Sequence, residues 1–268
     1  MKPPPCVLTI AGSDSGAGAG AQADARTIHA LGGYSLTAIT AVTAQNTRGV
    51  QRWSPVASAL LAAQLESVLG DFPVAAIKTG LLPGAASVRV VAAALARHPG
   101  IPLVIDPVIG STSGTRFLSP AALRALQRAL LPHATLVTPN WPEAAALSGR
   151  PVRTFAEAEL AGRTLAQRSG SAVLVKGGHG PGAMCRDCLI LAAGEVHWFA
   201  TRRVATRNTH GTGCVLSAAI AAELARGQTL LAGVETAREF LQGALCAGRF
   251  VHWGRGAGSA FPGSKVNR

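Results

Sequence analysis

The chain reads as an α/β protein, a central and mostly parallel sheet flanked by helices on both faces, with an antiparallel hairpin late in the order. Three observations predict this. Short, continuously apolar, β-branched runs such as residues 7–11 and 172–175 have the composition of strands buried on both faces. Longer alanine- and leucine-rich segments separate them, as crossover helices separate parallel strands. Polar residues recur where the apolar runs end. No internal repeat or linker-like break divides the 268 residues, so one domain over 1–268 is expected, with 254–268 the stretch of poorly ordered composition.

In order, a strand over 7–11 enters a glycine-rich loop, 12–20, and a helix through Ala30 that stops at Gly32-Gly33. A strand over 35–42 follows. Ser54-Pro55 then opens a helix to about Gly70, serine capping and proline at the first helical position. Residues 75–78 are a strand and 88–98 a helix; 103–105 is a strand ending at Asp106, and Ser119-Pro120 starts a capped helix to Leu131. The strand over 136–138 leads through Asn140 to a short helix around Glu143. Thr154 with Glu157 spells a capping box for a helix to Arg168, and the strand over 172–175 ends at Lys176. Residues 188–205 alternate as a hairpin around Ala193-Gly194-Glu195. Helices over about 213–226 and 231–250 close the chain.

Lys and Arg outnumber Asp and Glu by 25 to 13, for a net charge of +12, while aromatic residues are only 4%. The arginines, among them Arg26, Arg97, Arg163 and Arg226, are dispersed. A nucleic-acid binder concentrates basic residues and interleaves aromatics, so dispersed surface charge is the expectation. No apolar stretch reaches the length of a membrane span, and residues 1–5 lead into a strand without a signal-peptide core. Five scattered cysteines make no disulfide framework, and Cys185-x-x-Cys188 has no second pair to complete a zinc site. A cytoplasmic protein is expected.

In such sheets ligands bind beyond the carboxyl ends of the strands. Asp14, Gln45 with Asn46, Lys78, Asp106, Asn140 with Glu143, Lys176 and Gly211 all fall there. In Asn208-Thr-His-Gly-Thr-Gly-Cys214, two glycines flank a threonine at the start of a helix, so backbone N–H groups and the helix dipole form an anion cradle. Cys214 in the first turn is either a thiol activated toward thiolate or a small buried residue. Asp106 either holds a metal or water or caps a turn. Asn140-x-x-Glu143 offers two oxygens one turn apart, suited to magnesium with waters and phosphates, or forms an N-cap; both stand on sequence alone. Lys176-Gly-Gly presents a point charge to a phosphate. The loop Gly16-x-Gly18-x-Gly20 lacks both dinucleotide spacing and a following acidic residue, and no P-loop is present.

Residues 11–24 (Ala-Gly-Ser-Asp-Ser-Gly-Ala-Gly-Ala-Gly-Ala-Gln-Ala-Asp) and 39–50, containing Gln45-Asn46-Thr47, resemble signatures of the hydroxymethylpyrimidine and phosphomethylpyrimidine kinases of thiamine biosynthesis. Segments 78–82, 106–108, 138–144, 175–179 and 208–214 match further signatures in order, so the resemblance runs from Val7 to about Phe250. The cradle is shared with sugar and pyridoxal kinases, whereas Gln45-Asn46-Thr47 and Cys214 select the pyrimidine branch. The resemblance implies a ribokinase-like fold that phosphorylates 4-amino-5-hydroxymethyl-2-methylpyrimidine and then its monophosphate, using ATP and magnesium, as a homodimer. It implies that Gln45 hydrogen-bonds the aminopyrimidine, that Asp24 sits by the hydroxymethyl group, and that Gly12, Leu81 and Val108 line the ring pocket. Cys214 would be the base, with Gly211, Thr212 and Gly213 holding the transferred phosphoryl charge. Lys176, Asp106, Asn140 and Thr209 would contact ATP, and Asp106, Asn140 and Glu143 would organise magnesium directly or through water.

The sequence departs from the family at Gly16-Ala17-Gly18, where adjacent glycines are common, at Leu81, where methionine is frequent, and at Thr112, where lysine is frequent. Ending after one domain, the chain is expected to lack a fused thiamine-phosphate synthase. Competing expectations are a pyridoxal kinase, a salvage kinase acting on the alcohol alone, and a nucleic-acid binder on a degenerate kinase fold.

Overall fold

The structure, a computed structural model, describes residues 3–110, 114 and 117–261. It opens with β1 (Cys6–Asp14), α1 (Gly20–Ala30), β2 (Tyr34–Asn46), β3 (Gly49–Pro55), α2 (Ser58–Asp71), β4 (Val74–Thr79) and α3 (Ala85–Ala96). Then come β5 (Leu103–Ile105), α4 (Pro120–Ala125), β6 (Leu136–Val137), α5 (Trp141–Ser148) and α6 (Phe155–Ser169). The last part holds β7 (Ala172–Val175), β8 (Met184–Ile190), β9 (Val196–Arg202), α7 (Thr212–Ala225) and α8 (Leu230–Gly248). The nine strands form one sheet in the order β3-β2-β1-β4-β5-β6-β7-β8-β9. From β2 to β7 neighbours are parallel, and β3, β8 and β9 join antiparallel at the two ends.

The parallel strands bury side chains on both faces because they alternate with period two between two apolar layers. In β5, Leu103 and Ile105 face the layer of α2 to α6, and Val104 faces that of α1, α7 and α8. In β7, Val173 and Val175 face the first layer and Leu174 the second. Helix α7 is buried from Val215 through Glu223. Its alanines let it lie close to the sheet with α1 and α8 packed on its other sides.

Local chemistry ends the helices where expected. The Ser119 hydroxyl accepts the Ala122 N–H ahead of Pro120, and Thr154 with Glu157 makes a reciprocal capping box. The helix after Ser119 is α-helical only to Ala125; a π-helical turn over Leu126–Leu130 and a 3-10 turn over Leu131–His133 finish it. Gly149 and Gly170 take left-handed conformations at the ends of α5 and α6, which other residues adopt only with strain.

The late hairpin forms as expected, beginning at Met184. The early one is a correction. Ser54-Pro55 does not open a helix; it ends β3, which returns from β2 through Thr47-Arg48 and a left-handed Gly49. On an outer strand Pro55 deprives no central ladder of a donor, and α2 starts instead at Ser58.

Residues 254–261 pack onto earlier segments: the Gly256 N–H donates to Thr47 Oγ1, and Ser259 pairs with His210 as an isolated parallel bridge. Thr112 and residues 262–268 lie outside the described residues.

Thr154→Ala removes one cap and is expected to lower stability by about 1 kcal/mol, read as a shifted urea midpoint at unchanged slope.

Candidate active site

The chain leaves β1 to β2 on one side and returns to β4 on the other, so the strand order reverses between β1 and β4. That is where an open α/β sheet leaves a crevice at its carboxyl edge. A cavity of about 470 Å³ lies there.

One wall is built from the two glycine-rich loops. The Asp14 carboxylate accepts the N–H groups of Gly16, Gly18 and Ala19, at 2.8, 3.0 and 2.9 Å, and so folds the loop after β1 back on itself. Gly211 has φ 75°, and a Cβ there would sit 2.0 Å from the Gly18 carbonyl oxygen. A Cβ on Gly20 would lie 2.2 Å from the Gly12 carbonyl oxygen. Only glycines permit backbone to meet backbone this closely, and the contact points the first N–H groups of α7 at the cavity. The ring of His210, between the loops, reaches Asp14 Oδ2 at 2.9 Å and the Gln45 amide nitrogen at 2.9 Å.

The second wall carries charge. Lys176 Nζ lies 2.7 Å from Asp106 Oδ1 and 3.9 Å from Glu143 Oε2, and a Cβ on Gly213 would be 3.2 Å from that ammonium. Burial pushes the Glu143 carboxyl up to about 7; Lys176 opposes the shift and Asp106 adds to it. Burial works against the Lys176 charge too, but Asp106 and Glu143 outweigh it and raise the ammonium above its ordinary range.

Asn140 and Glu143 form a capping box: Asn140 Oδ1 accepts the Glu143 N–H at 3.0 Å, and Glu143 Oε2 accepts the Asn140 N–H at 2.8 Å. Of the two sequence readings, the N-cap is the one the geometry shows, and it turns the pair toward Lys176.

Gly12, Gln45, Leu81, Val108, Asp106, Asn140, Glu143, Lys176, Thr209, Gly211, Thr212, Gly213 and Cys214 all line the cavity. Asp24 does not, which corrects its expected place by the hydroxymethyl group. It is fully buried in α1, where it accepts Lys78 Nζ at 2.7 Å and the Thr9 hydroxyl at 2.5 Å. Burial disfavours the Lys78 charge, yet Asp24, with Cys214 and Asp106, more than offsets this and the ammonium is held above its ordinary range. A buried lysine must find a carboxylate, and Asp24 is that partner. Asn46 is also outside; its side chain accepts the Arg48 N–H in the β2–β3 turn.

Of the two sequence readings of Cys214, burial favours the neutral thiol over the activated thiolate. Burial pushes the thiol up to about 11; Lys78 pulls it down, but Asp24 and Asp106 push it up. The position at the start of α7 does not overcome this.

Sequence reading missed three contributors. His210 is one; it stands within the cradle motif between Thr209 and Gly211, with no role expected of it. The others are Asp187 and Arg203, in or just after the late hairpin. Asp187 Oδ1 accepts the Gly177 N–H at 2.6 Å, and Arg203 donates to the carbonyls of Gly178, Gly180 and Gly182. They clamp the turn that follows Lys176. Nothing in the sequence set Asp187 and Arg203 apart from the other charged residues of the hairpin, such as Arg186 and Arg202.

Residues 14–260 match the family described as phosphomethylpyrimidine kinase. A hydroxymethylpyrimidine/phosphomethylpyrimidine kinase of Rhizobium meliloti is 45% identical over 253 residues, covering 94% of each chain. The chloroplastic thiamine biosynthetic bifunctional enzyme of Arabidopsis thaliana is 44% identical over 258 residues; the match covers 96% of this chain but only 49% of that enzyme's length. The pyridoxal kinase of Staphylococcus aureus, in complex with AMP-PCP and pyridoxal, superposes with a TM-score of 0.89 at 29% identity, over 98% of this chain and 95% of that one.

Asp24→Ala leaves Lys78 buried without its counter-charge and is expected to lower stability by about 3–5 kcal/mol. Asp24→Leu combined with Lys78→Met is expected to recover most of that loss, both read by chemical denaturation.

Proposed function

Since the chain belongs to the phosphomethylpyrimidine kinase family, we propose that it transfers phosphate from ATP to 4-amino-5-hydroxymethyl-2-methylpyrimidine and then to its monophosphate, for thiamine biosynthesis. One observation carries the reading: the Gly211–Cys214 helix start, the Lys176 ammonium and the Gln45 amide converge on a single cavity. The AMP-PCP and pyridoxal named with the S. aureus neighbour support a nucleotide beside a ring-bearing alcohol.

In this reading Gln45 holds the ring edge, while Gly12, Leu81 and Val108 give it apolar walls. The hydroxymethyl oxygen attacks the γ-phosphorus, and the β–γ bridging oxygen leaves with ADP. Charge spreads over the equatorial oxygens in such a transfer, so positioning and fixed donors supply most of the acceleration. The N–H groups of Gly211 to Cys214 and the Lys176 ammonium are those donors, and Thr209 borders the same phosphates. The second phosphorylation uses the same cradle with a phosphate oxygen as nucleophile.

Asp106 and Glu143 suit magnesium. They are hard oxygen donors, and a dication would stabilise the Glu143 carboxylate that burial, with Asp106, disfavours. Among the described residues there is no cluster of three His, Cys, Asp or Glu side chains, so an ion here keeps waters and phosphate oxygens. Bound, magnesium neutralises charge on the triphosphate.

Cys214 acts in this reading as proton acceptor through its thiolate, the minor form at neutral pH because burial raises the thiol to about 11; the thiolate takes the hydroxyl proton as the oxygen attacks. The five free cysteines fit a cytoplasmic enzyme, and among the described residues no helix is long and apolar enough to cross a membrane. The family resemblance implies a homodimer, whose interface would cover some of the exposed apolar side chains, among them Tyr34, Val42 and Leu60.

An ATP-dependent assay that follows mono- and diphosphate products separately tests the reading. Product from pyridoxal alone, or the monophosphate alone, would replace it with a pyridoxal or a salvage kinase. Salt-dependent DNA binding without turnover would remove it.

Cys214→Ala is expected to lower kcat about a hundredfold with the pyrimidine KM little changed. As the thiol ionises only toward about 11, kcat rises with pH through the alkaline range, and the substitution flattens that rise. Glu143 gains its charge as pH climbs through about 7, so nucleotide affinity strengthens across that interval and Glu143→Gln abolishes the change. Lys176→Met is expected to raise the KM for ATP about ten- to a hundredfold.

A further inference from the structure

His210 Nε2 has two neighbours at 2.9 Å, Oδ2 of Asp14 and the side-chain nitrogen of Gln45. A single imidazole nitrogen is a donor or an acceptor, never both. Asp14 decides which. Its carboxylate already gathers the N–H groups of Gly16, Gly18 and Ala19. Burial pushes its carboxyl up, but His210 and the loop amides outweigh burial and hold it below the ordinary carboxylate range. Facing an ionised carboxylate, Nε2 carries its hydrogen and donates it to Asp14.

That nitrogen then has no lone pair for a Gln45 N–H. The two ends of an amide exchange by a half-turn about the last side-chain bond. The half-turn brings Oε1 beside the imidazole N–H, which Asp14 and Gln45 then share as a three-centre bond, and turns the NH2 group away from His210 at a residue that lines the cavity. Among the described residues the Gln45 side chain has no other hydrogen-bond partner, so nothing else sets its orientation. Its backbone is fixed by Ser15, whose hydroxyl accepts the Gln45 N–H and donates to the Gln45 carbonyl, at 2.8 Å each.

His210 is itself immobilised. Its N–H donates to the Gly258 carbonyl and its carbonyl accepts the Ala260 N–H, at 3.2 and 3.3 Å. A Cβ on Gly18 would lie 2.5 Å from ring atom Cδ2, so the ring lies flat against the opening loop.

We propose that His210, anchored by Asp14, is a positioning residue that fixes the Gln45 amide with its NH2 group toward the cavity, so that the site selects a ring edge presenting an acceptor nitrogen. The inference rests on the reading of Gln45 as the ring-binding residue.

The test compares kcat/KM, with ATP as donor, for the aminopyrimidine alcohol and for its pyridine analogue in which CH replaces the ring nitrogen beside the amino-bearing carbon. The unsubstituted chain is expected to prefer the pyrimidine by at least about tenfold, because the analogue leaves the amide donor unpaired. In His210→Phe the amide turns freely, and the preference is expected to fall within about threefold. A purely architectural His210 would lower both substrates alike, and a preference unmoved by the substitution overturns the proposal. If His210→Phe does not fold, Gln45→Glu carries the test. Its carboxylate still accepts from His210 but cannot donate to a ring nitrogen, so the loss is expected on the pyrimidine and not on the analogue. Equal losses on both overturn the proposal. Absence of turnover by the unsubstituted chain removes the functional reading and this inference with it, whereas turnover with an unmoved preference removes the inference alone.

Discussion

The site depends on one contact, the backbone of Gly18 against that of Gly211. The two residues lie 193 positions apart and meet so closely that a Cβ on Gly211 would be 2.0 Å from the Gly18 carbonyl oxygen. This closeness lets Asp14, which organises the first loop, share His210 with the second. It also joins the part of the cavity lined by Gln45 to the part lined by Gly211–Cys214 at the start of α7. The closing segment adds to it: the Asn208 amide donates to Gly248 and Val251 and accepts from Gly258. Thus residues 248–258 brace the loop that precedes α7.

Buried charge is the second constraint, and it is met by pairing. Lys78 pairs with Asp24 and Lys176 with Asp106 at the same distance, 2.7 Å. They differ in access. Lys78 is fully buried with its partner, whereas Lys176 keeps partial exposure and a second carboxylate, Glu143. The first pair sustains the fold beneath the cavity; the second faces what enters it. The same burial explains Cys214. A helix N-terminus and a nearby ammonium both lower a thiol pKa, whereas burial raises it; here burial outweighs them, and Lys78 is paired with Asp24.

The resemblance stated from signatures agrees with the family match over residues 14–260, and the sheet with helices on both faces agrees with the fold of the pyridoxal kinase neighbour. The cavity also gathers nearly every strand-end residue singled out beforehand, because a parallel strand delivers its last residue to one edge of the sheet. Asp24 was misplaced for the converse reason. It lies inside a helix, and a motif position there does not say which face turns toward the sheet.

What the sequence determined by itself was local or periodic. The two-sided strands, the capping box at Thr154, the glycine cradle and the late hairpin follow from short-range chemistry that needs no distant partner. Tertiary structure decided the rest. Ser54-Pro55 resembles a helix start in isolation, yet it ends an outer strand because β2 was there to pair with it. Whether Cys214 ionises, which carboxylate Lys78 finds, and which end of Gln45 faces the cavity depend on groups brought from across the fold. Desolvation and charge act through space at a few ångströms, and only the folded chain sets those separations.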